Sequence, residues 1–302
     1  MPIERSAFLR EKEMILVTGA SGTVGRAVLR EVAKSGSQHR AMYRSAEEAA
    51  KAPAGTEAVV ADFAKKETLG PALRGVESVY LVCSPIPDLV QLESNMVDAC
   101  VDAGVKHVVL NSALGAGDYP KSFPSWHRKV EDKLRATRLR WTILRPNSFH
   151  QNTTAYFAPS IRAQGVFYGS LGDSRMSYVD VRDVGAVAAK TLTGLAHAGK
   201  IYEMNGPERL TATELAAKIG KAAGRNVKYV DIPLDTQRKA MLDMGMPDWQ
   251  VTALLDLQLY YVHGKGGEVD GVLEGLLGRA PIRMEEFLLE NAVAFREQAA
   301  KA

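Results

Sequence analysis

The sequence predicts an α/β fold: a doubly wound parallel sheet carrying a smaller C-terminal α+β lobe. Three observations predict it. Short β-branched runs alternate with longer helical patterns through the first two-thirds of the chain. The runs are nearly all apolar, as strands covered on both faces are. A glycine-rich turn directly follows the first run and opens the first helix.

The runs fall at 14–18, 40–43, 58–60, 78–83, 107–110 and 141–144, with helices expected at 24–34, 45–52, 66–73, 88–103 and 126–138. In the fourth helix Leu89, Leu92, Met96, Val97 and Cys100 recur at helical spacing. Right-handed crossovers then favour the strand order 3-2-1-4-5-6. Beyond about residue 150 the rhythm changes. Residues 152–175, with Gly165, Gly169 and Gly172, read as a loop-rich excursion, and Val181–Leu192 returns to a helical pattern. A strand at 201–204, a helix at 211–223, a strand at 227–231 and helices near 235–244, 248–262 and 284–298 follow. The expected division is a dinucleotide-binding domain over 13–155, with 176–200 packing back on it, and a substrate lobe made of 156–175 and 201–302. Residues 1–12 read as an extra segment, a short helix or an artificial extension, with no function assigned.

Composition narrows the class. The 302 residues are 46% apolar and 24% charged, which excludes disordered, collagen-like and coiled-coil chains. A net charge of +3 without a long basic run gives no nucleic-acid surface. Two cysteines, Cys83 and Cys100, exclude a disulfide scaffold and suit a reducing cytoplasm. The charged N-terminus lacks the apolar stretch of a secretory signal, and no run approaches the roughly 18 residues of a membrane span. The six histidines show no ligand spacing, so no metal site is expected. A homodimer is compatible with the sequence and not required by it.

The sharpest signal is Thr18-Gly19-Ala20-Ser21-Gly22-Thr23-Val24-Gly25. Gly19 permits a tight turn, Gly22 lets backbone approach a pyrophosphate, and Gly25 allows close helix–strand packing. The helix N-terminus then offers free N–H groups and partial positive charge to phosphates. Nineteen residues beyond Gly25, where an NAD site places an acid on the ribose, stands Arg44, and Gln38–Ala46 holds no carboxylate. A guanidinium there pairs with a 2′-phosphate, so NADP(H) is expected over NAD(H). The alternative leaves Arg44 solvated and gives the ribose to Glu47 or Glu48. Asp62 is a candidate for the adenine amino group, or else an Asx-type cap before the next helix. Phe63 and Ser84 stand at neighbouring strand ends on the same rim.

The Gly-x-x-Gly-x-x-Gly spacing resembles the extended and atypical short-chain dehydrogenase/reductases. Val101–His107, Trp141–Phe149, Tyr178–Val184 and Leu277–Pro281, with Phe287 and Phe295, are similar to the NmrA-like group of that superfamily over about residues 13–298. Within the group the likeness is greatest to triphenylmethane-dye and NAD(P)H:quinone reductases. The resemblance implies a Rossmann core, a small C-terminal lobe, NADP(H), no metal, and Pro146, Asn147 and Phe149 beside the nicotinamide. The superfamily's catalytic Ser falls on Ser112. At the register of its Tyr-x-x-x-Lys stand Phe123 and His127, followed by Glu131. The chain is therefore expected to work without that pair, which alcohol dehydrogenation needs.

That departure points to hydride transfer onto a quinone, dye or other electron-poor conjugated small molecule, where positioning matters more than an immediate proton. His127 is open to three readings: a ribose contact, a late proton donor, or a structural residue. Ser112, with Asn111, is a candidate for the nicotinamide ribose or the substrate. Asp180 and Asp183 read as helix caps. His150, Asn152, Tyr156 and Phe157, with Tyr260, Tyr261 and His263, are candidate aromatic and polar walls for a flat guest, or else packing residues. A non-catalytic dinucleotide sensor that reports to a protein partner is the rival reading.

Overall fold

The computed structural model describes residues 13–297. The nine strands are β1 Met14–Val17, β2 His39–Tyr43, β3 Glu57–Val60, β4 Val76–Leu81, β5 His107–Asn111, β6 Arg140–Pro146, β7 Val166–Gly169, β8 Lys200–Met204 and β9 Lys228–Asp231. The helices are α1 Thr23–Lys34, α2 Ala46–Ala49, α3 Leu69–Ala72, α4 Leu89–Asp102, α5 Ser122–Arg135 and α6 Ala158–Gln164. They continue with α7 Val181–Thr193, α8 Ala212–Ala223, α9 Leu234–Asp243, α10 Asp248–Val262, α11 Val272–Leu277 and α12 Met284–Glu290.

Seven strands make one parallel sheet in the order β3-β2-β1-β4-β5-β6-β8. Chain direction across the sheet reverses between β1 and β4, and a crevice opens there at the carboxyl ends of the strands. One face buries Val28 and Val32 of α1 and Val184 and Ala188 of α7 against Val17, Tyr80 and Leu144. The other buries Leu69, Met96, Val97, Val130 and Leu134 against Leu16, Leu81, Leu110 and Ile143. Both faces are thus apolar, which is why the strands carry little alternation.

Local signals set several boundaries. Asp180 caps α7 by accepting the Arg182 N–H at 2.8 Å, and Thr211 with Glu214 forms a capping box on α8. Gly224 ends α8 in the left-handed region. The C-terminal lobe has its own core, in which Phe167, Leu215, Ile219, Phe287 and Phe295 meet, and its own two-stranded parallel sheet, β7-β9.

The structure differs from expectation at four places. The strand near 201–204 pairs in parallel with β6 as the seventh strand of the main sheet and does not lie in the lobe. It is an edge strand with only Met204 fully buried, so it lacks the apolar run that marks a central strand. The excursion at 152–175 is largely ordered, as a π-helical turn at Thr153–Phe157, then α6 and β7. α5 starts at Ser122, four residues before the expected 126. The last helix stops at Glu290, and a 3₁₀ turn carries the chain to Phe295. Residues 1–12 and the final residue of the expected 284–298 helix lie outside the described residues.

α1 and α7 cross at small residues. A Cβ on Gly185 would lie 2.8 Å from the Ala27 carbonyl carbon and oxygen. Gly185→Val should therefore separate the two helices at a cost of about 1–3 kcal/mol, read as a lowered midpoint in chemical denaturation. An unchanged midpoint would contradict this packing.

Candidate functional site

The glycine turn is built for close approach. Gly19 has φ +58°, and a Cβ there would sit 2.8 Å from Val82 Cγ1. A Cβ on Gly25 would lie 2.0 Å from the Gly19 carbonyl oxygen, so only glycine lets α1 begin this near the turn. Thr18 ties the turn to β4, donating from Oγ1 to the Tyr80 carbonyl at 3.0 Å and accepting the Val82 N–H at 2.9 Å. The N-cap of α1 is Gly22, with no side-chain cap and no acid in the first turn. The leading N–H groups of the helix are consequently left for an external acceptor.

A crevice of about 310 Å³ brings together Gly19, Ser21, Gly22, Thr23, Val24 and Gly25 with Arg44, Asp62, Phe63 and Ser84. Every residue of the expected phosphate loop and adenosine rim lines this one cavity. Val82, Cys83, Met42, Ala61, Ile86 and Leu92 complete it. Of these only Cys83 drew notice in the sequence; the position just past a strand's carboxyl end is the signal that marks the others. Burial pushes the Cys83 thiol up to about 12, so it is a neutral wall and not a nucleophile. The competing acids do not line the crevice. Glu47 pairs with Lys51 at 2.7 Å, and Glu48 borders a separate cavity along α1. Asp62 serves the Asx-type turn, its Oδ1 accepting the Ala64 N–H at 3.0 Å, while also facing the crevice.

At the ends of β5 and β6 the side chains are tied to one another. Phe123, His127 and Glu131 follow one another at four-residue steps on the buried face of α5. Ser112 donates its hydroxyl to Glu131 at 2.5 Å. Arg145 grips the same carboxylate through Nε at 2.9 Å and Nη2 at 2.7 Å, and extends Nη1 to Glu203 at 3.2 Å. The sequence gave Glu131 no role, and only its spacing after His127 marked it. His127 is buried, its Nδ1 is without a partner among the described residues, and burial lowers its pKa to about 4. The ring is neutral near pH 7, which disfavours the reading as a charged proton donor.

The expectation that the chain contains no Tyr-x-x-x-Lys needs correction, because Tyr261 and Lys265 have that spacing. They straddle the end of α10 and do not act together. The buried Tyr261 hydroxyl donates to Asn147 Oδ1 at 3.2 Å, while Lys265 pairs with Asp118 at 2.9 Å on the surface. Burial pushes the Tyr261 phenol up, and no cation is among the groups that shift it.

The expected substrate residues disperse. His150 is fully buried, with Nε2 on the Tyr178 carbonyl at 3.1 Å and its ring against Phe287, so it packs the sheet to the lobe. Tyr260 is buried edge-on to Tyr119 and Tyr261. Tyr156 is 58% exposed, His263 is exposed, Asn152 bonds Ser148, and Phe157 stacks on Phe167. Pro146 is buried and Phe149 half-buried. Asn147 is spent internally: its Nδ2 reaches Asn205 and the Gly266 carbonyl, and its Oδ1 accepts from Ser148 N and Tyr261. Its side chain clamps β6 to β8 and to the 264–267 loop and has no group left for a guest. Asp180 and Asp183 act as caps and anchors, Asp183 holding Arg279 at 2.7 Å and the Ile282 N–H at 2.7 Å. Among the described residues no three His, Cys, Asp or Glu cluster as metal ligands, and no helix is long and apolar enough to cross a membrane.

His127 and His107 both have pKa values lowered to about 4 by burial. The unfolded chain, with histidines near 6.5, therefore binds more protons than the folded one as pH falls from about 6.5 to about 4. Stability should be full above pH 7 and fall through that window. His127→Asn should reduce the slope by about one proton, measured from denaturation midpoints between pH 7 and pH 5. An unchanged slope would refute the buried neutral ring.

Comparison with known proteins agrees with this geometry. The NmrA-like family profile matches residues 11–288. An NAD(P)H azoreductase from Xenophilus azovorans is 35% identical over 93% of this chain and 99% of its own. Quinone oxidoreductase 2 of Escherichia coli is 31% identical over 90% and 96%. The crystal structure of the NADPH-dependent quinone oxidoreductase from Escherichia coli complexed with NADPH superposes with a TM-score of 0.85 at 29% identity, covering 92% of this chain and 99% of that one. On the turn, the sheet order and these matches, the chain belongs to the NmrA-like family.

Proposed function

We propose that the chain is an NADP(H)-dependent reductase that passes hydride to a flat, conjugated small molecule such as a quinone or a dye. The carrying observation is the single crevice in which the uncapped start of α1, the glycine turn and Arg44 face one another. Those residues fit the coenzyme: free helix N–H groups suit a pyrophosphate, and an exposed guanidinium with no competing acid on the rim suits a 2′-phosphate. The relatives named for azo and quinone substrates support the acceptor class, and the solved relative complexed with NADPH supports the coenzyme.

In this reading the Gly19–Gly25 amides hold the pyrophosphate, Arg44 holds the 2′-phosphate, and Asp62 and Phe63 border the adenine. Ser84, Pro146 and Phe149 lie toward the nicotinamide, and the neutral His127 contacts a ribose hydroxyl. When bound, NADPH supplies the hydride. The chain's own part is positioning and exclusion of water. No phenol here is made acidic by a neighbouring cation, so an alcohol's proton would have no ready carrier. Acceptors that take hydride without a concerted proton escape that limit.

Absorbance of NADPH should fall on adding a quinone, a triarylmethane dye or an azo dye, and NADH should be the weaker donor. Gly25→Val, which drives a branched side chain into the Gly19 carbonyl, should lower kcat/KM for NADPH by at least about 100-fold. Tight NADPH binding with no oxidation by any of these acceptors would overturn the reductase reading.

A further inference from the structure

A serine hydroxyl has one hydrogen to give and two lone pairs to offer. At Ser112 the hydrogen is committed. The partner, Glu131, is wholly buried and gripped by the fork of Arg145, so as a carboxylate it can only accept. The 2.5 Å contact is the shortest of the three that Glu131 receives. Arg145 cannot swing away, because its Nη1 is held by Glu203, and a Cβ on Gly117 would lie 2.6 Å from that nitrogen. Ser112 follows the last residue of β5, next to the strand whose end supplies Val82, Cys83 and Ser84 to the crevice.

We propose that Glu131, clamped by Arg145, is a positioning residue that fixes Ser112 as a hydrogen-bond acceptor toward the guest. The site then prefers guests that carry an O–H or N–H over matched guests that carry only acceptors, and Ser112 gives no proton to the molecule being reduced. This deepens the reductase reading and rests on it for the place of the guest.

The polarity can be read without turnover. The probes are 1-naphthol and 1-methoxynaphthalene, alike in shape and differing in one donor. Each is titrated calorimetrically into the protein saturated with NADP⁺. The wild type should bind 1-naphthol at least about fivefold more tightly, the worth of one neutral hydrogen bond. Glu131→Gln keeps the shape but can hand a hydrogen to Ser112, and should bring the ratio to about one. Ser112→Ala keeps the Glu131–Arg145 pair whole and should do the same, so the test stands even where Glu131→Gln folds poorly. A ratio unchanged in these variants would make Glu131 structural only and overturn the proposal. A wild type with no preference, or one that binds neither probe, would also overturn it. Preference in the wild type without NADPH oxidation would sink the reductase reading and leave the polarity of Ser112 standing.

Discussion

The seat of α1 on the first turn is the constraint from which the rest of the structure follows. The Gly19 carbonyl occupies the space a side chain at Gly25 would need, at 2.0 Å from an ideal Cβ. Because both residues are glycine, the helix starts directly at the strand's end, and Gly22 leaves its first turn uncapped. Thr18 locks the same turn to β4, so the amide groups and the end of the neighbouring strand are held as one rigid edge. Any larger residue would push the helix axis outward and disperse the donors that make the crevice a phosphate site. α7 packs behind through Gly185 against Ala27, so the helix is pressed from both sides.

The opposite end of the crevice is organised by polar clamps. Ser112, Glu131, Arg145 and Glu203 join the ends of β5, β6 and β8 to α5. Asn147 spends every hydrogen-bonding group on Asn205, Gly266, Ser148 and Tyr261. A buried ion pair such as Arg145–Glu131 gains little net stability when formed, yet removing one partner costs about 3–5 kcal/mol. What such a network gives is a fixed geometry. That suits a site whose contribution is placement and whose ionisable groups are held neutral or paired: His127 by burial, Cys83 by burial and the nearby Glu93.

Much of the fold was legible because both faces of the sheet are covered, and central strands such as Val76–Leu81 and His107–Asn111 read as apolar runs. The edge strand Lys200–Met204 did not, since its exposed residues carry no such run. The phosphate turn and its rim were legible because each residue acts through backbone or through a strand-end position that spacing reveals. The substrate wall was not. His150, Tyr260 and Asn147 have the composition of a pocket, but whether a histidine or tyrosine faces a guest or fills a core depends on packing partners such as Phe287, Tyr119 and Asn205, distant in sequence. Tyr261 and Lys265 show the same limit from the other side: a motif's spacing occurs, but its two members engage Asn147 and Asp118.

The central claim is that the glycine turn and Arg44 together hold a phosphorylated nicotinamide coenzyme. Calorimetric titration of the wild type and Arg44→Asp with NADPH and NADH tests it most directly. One site per chain with NADPH bound more tightly than NADH, and that preference lost or reversed in Arg44→Asp, is the expected result. Absence of heat with both coenzymes, or equal affinities unaltered by Arg44→Asp, would contradict it.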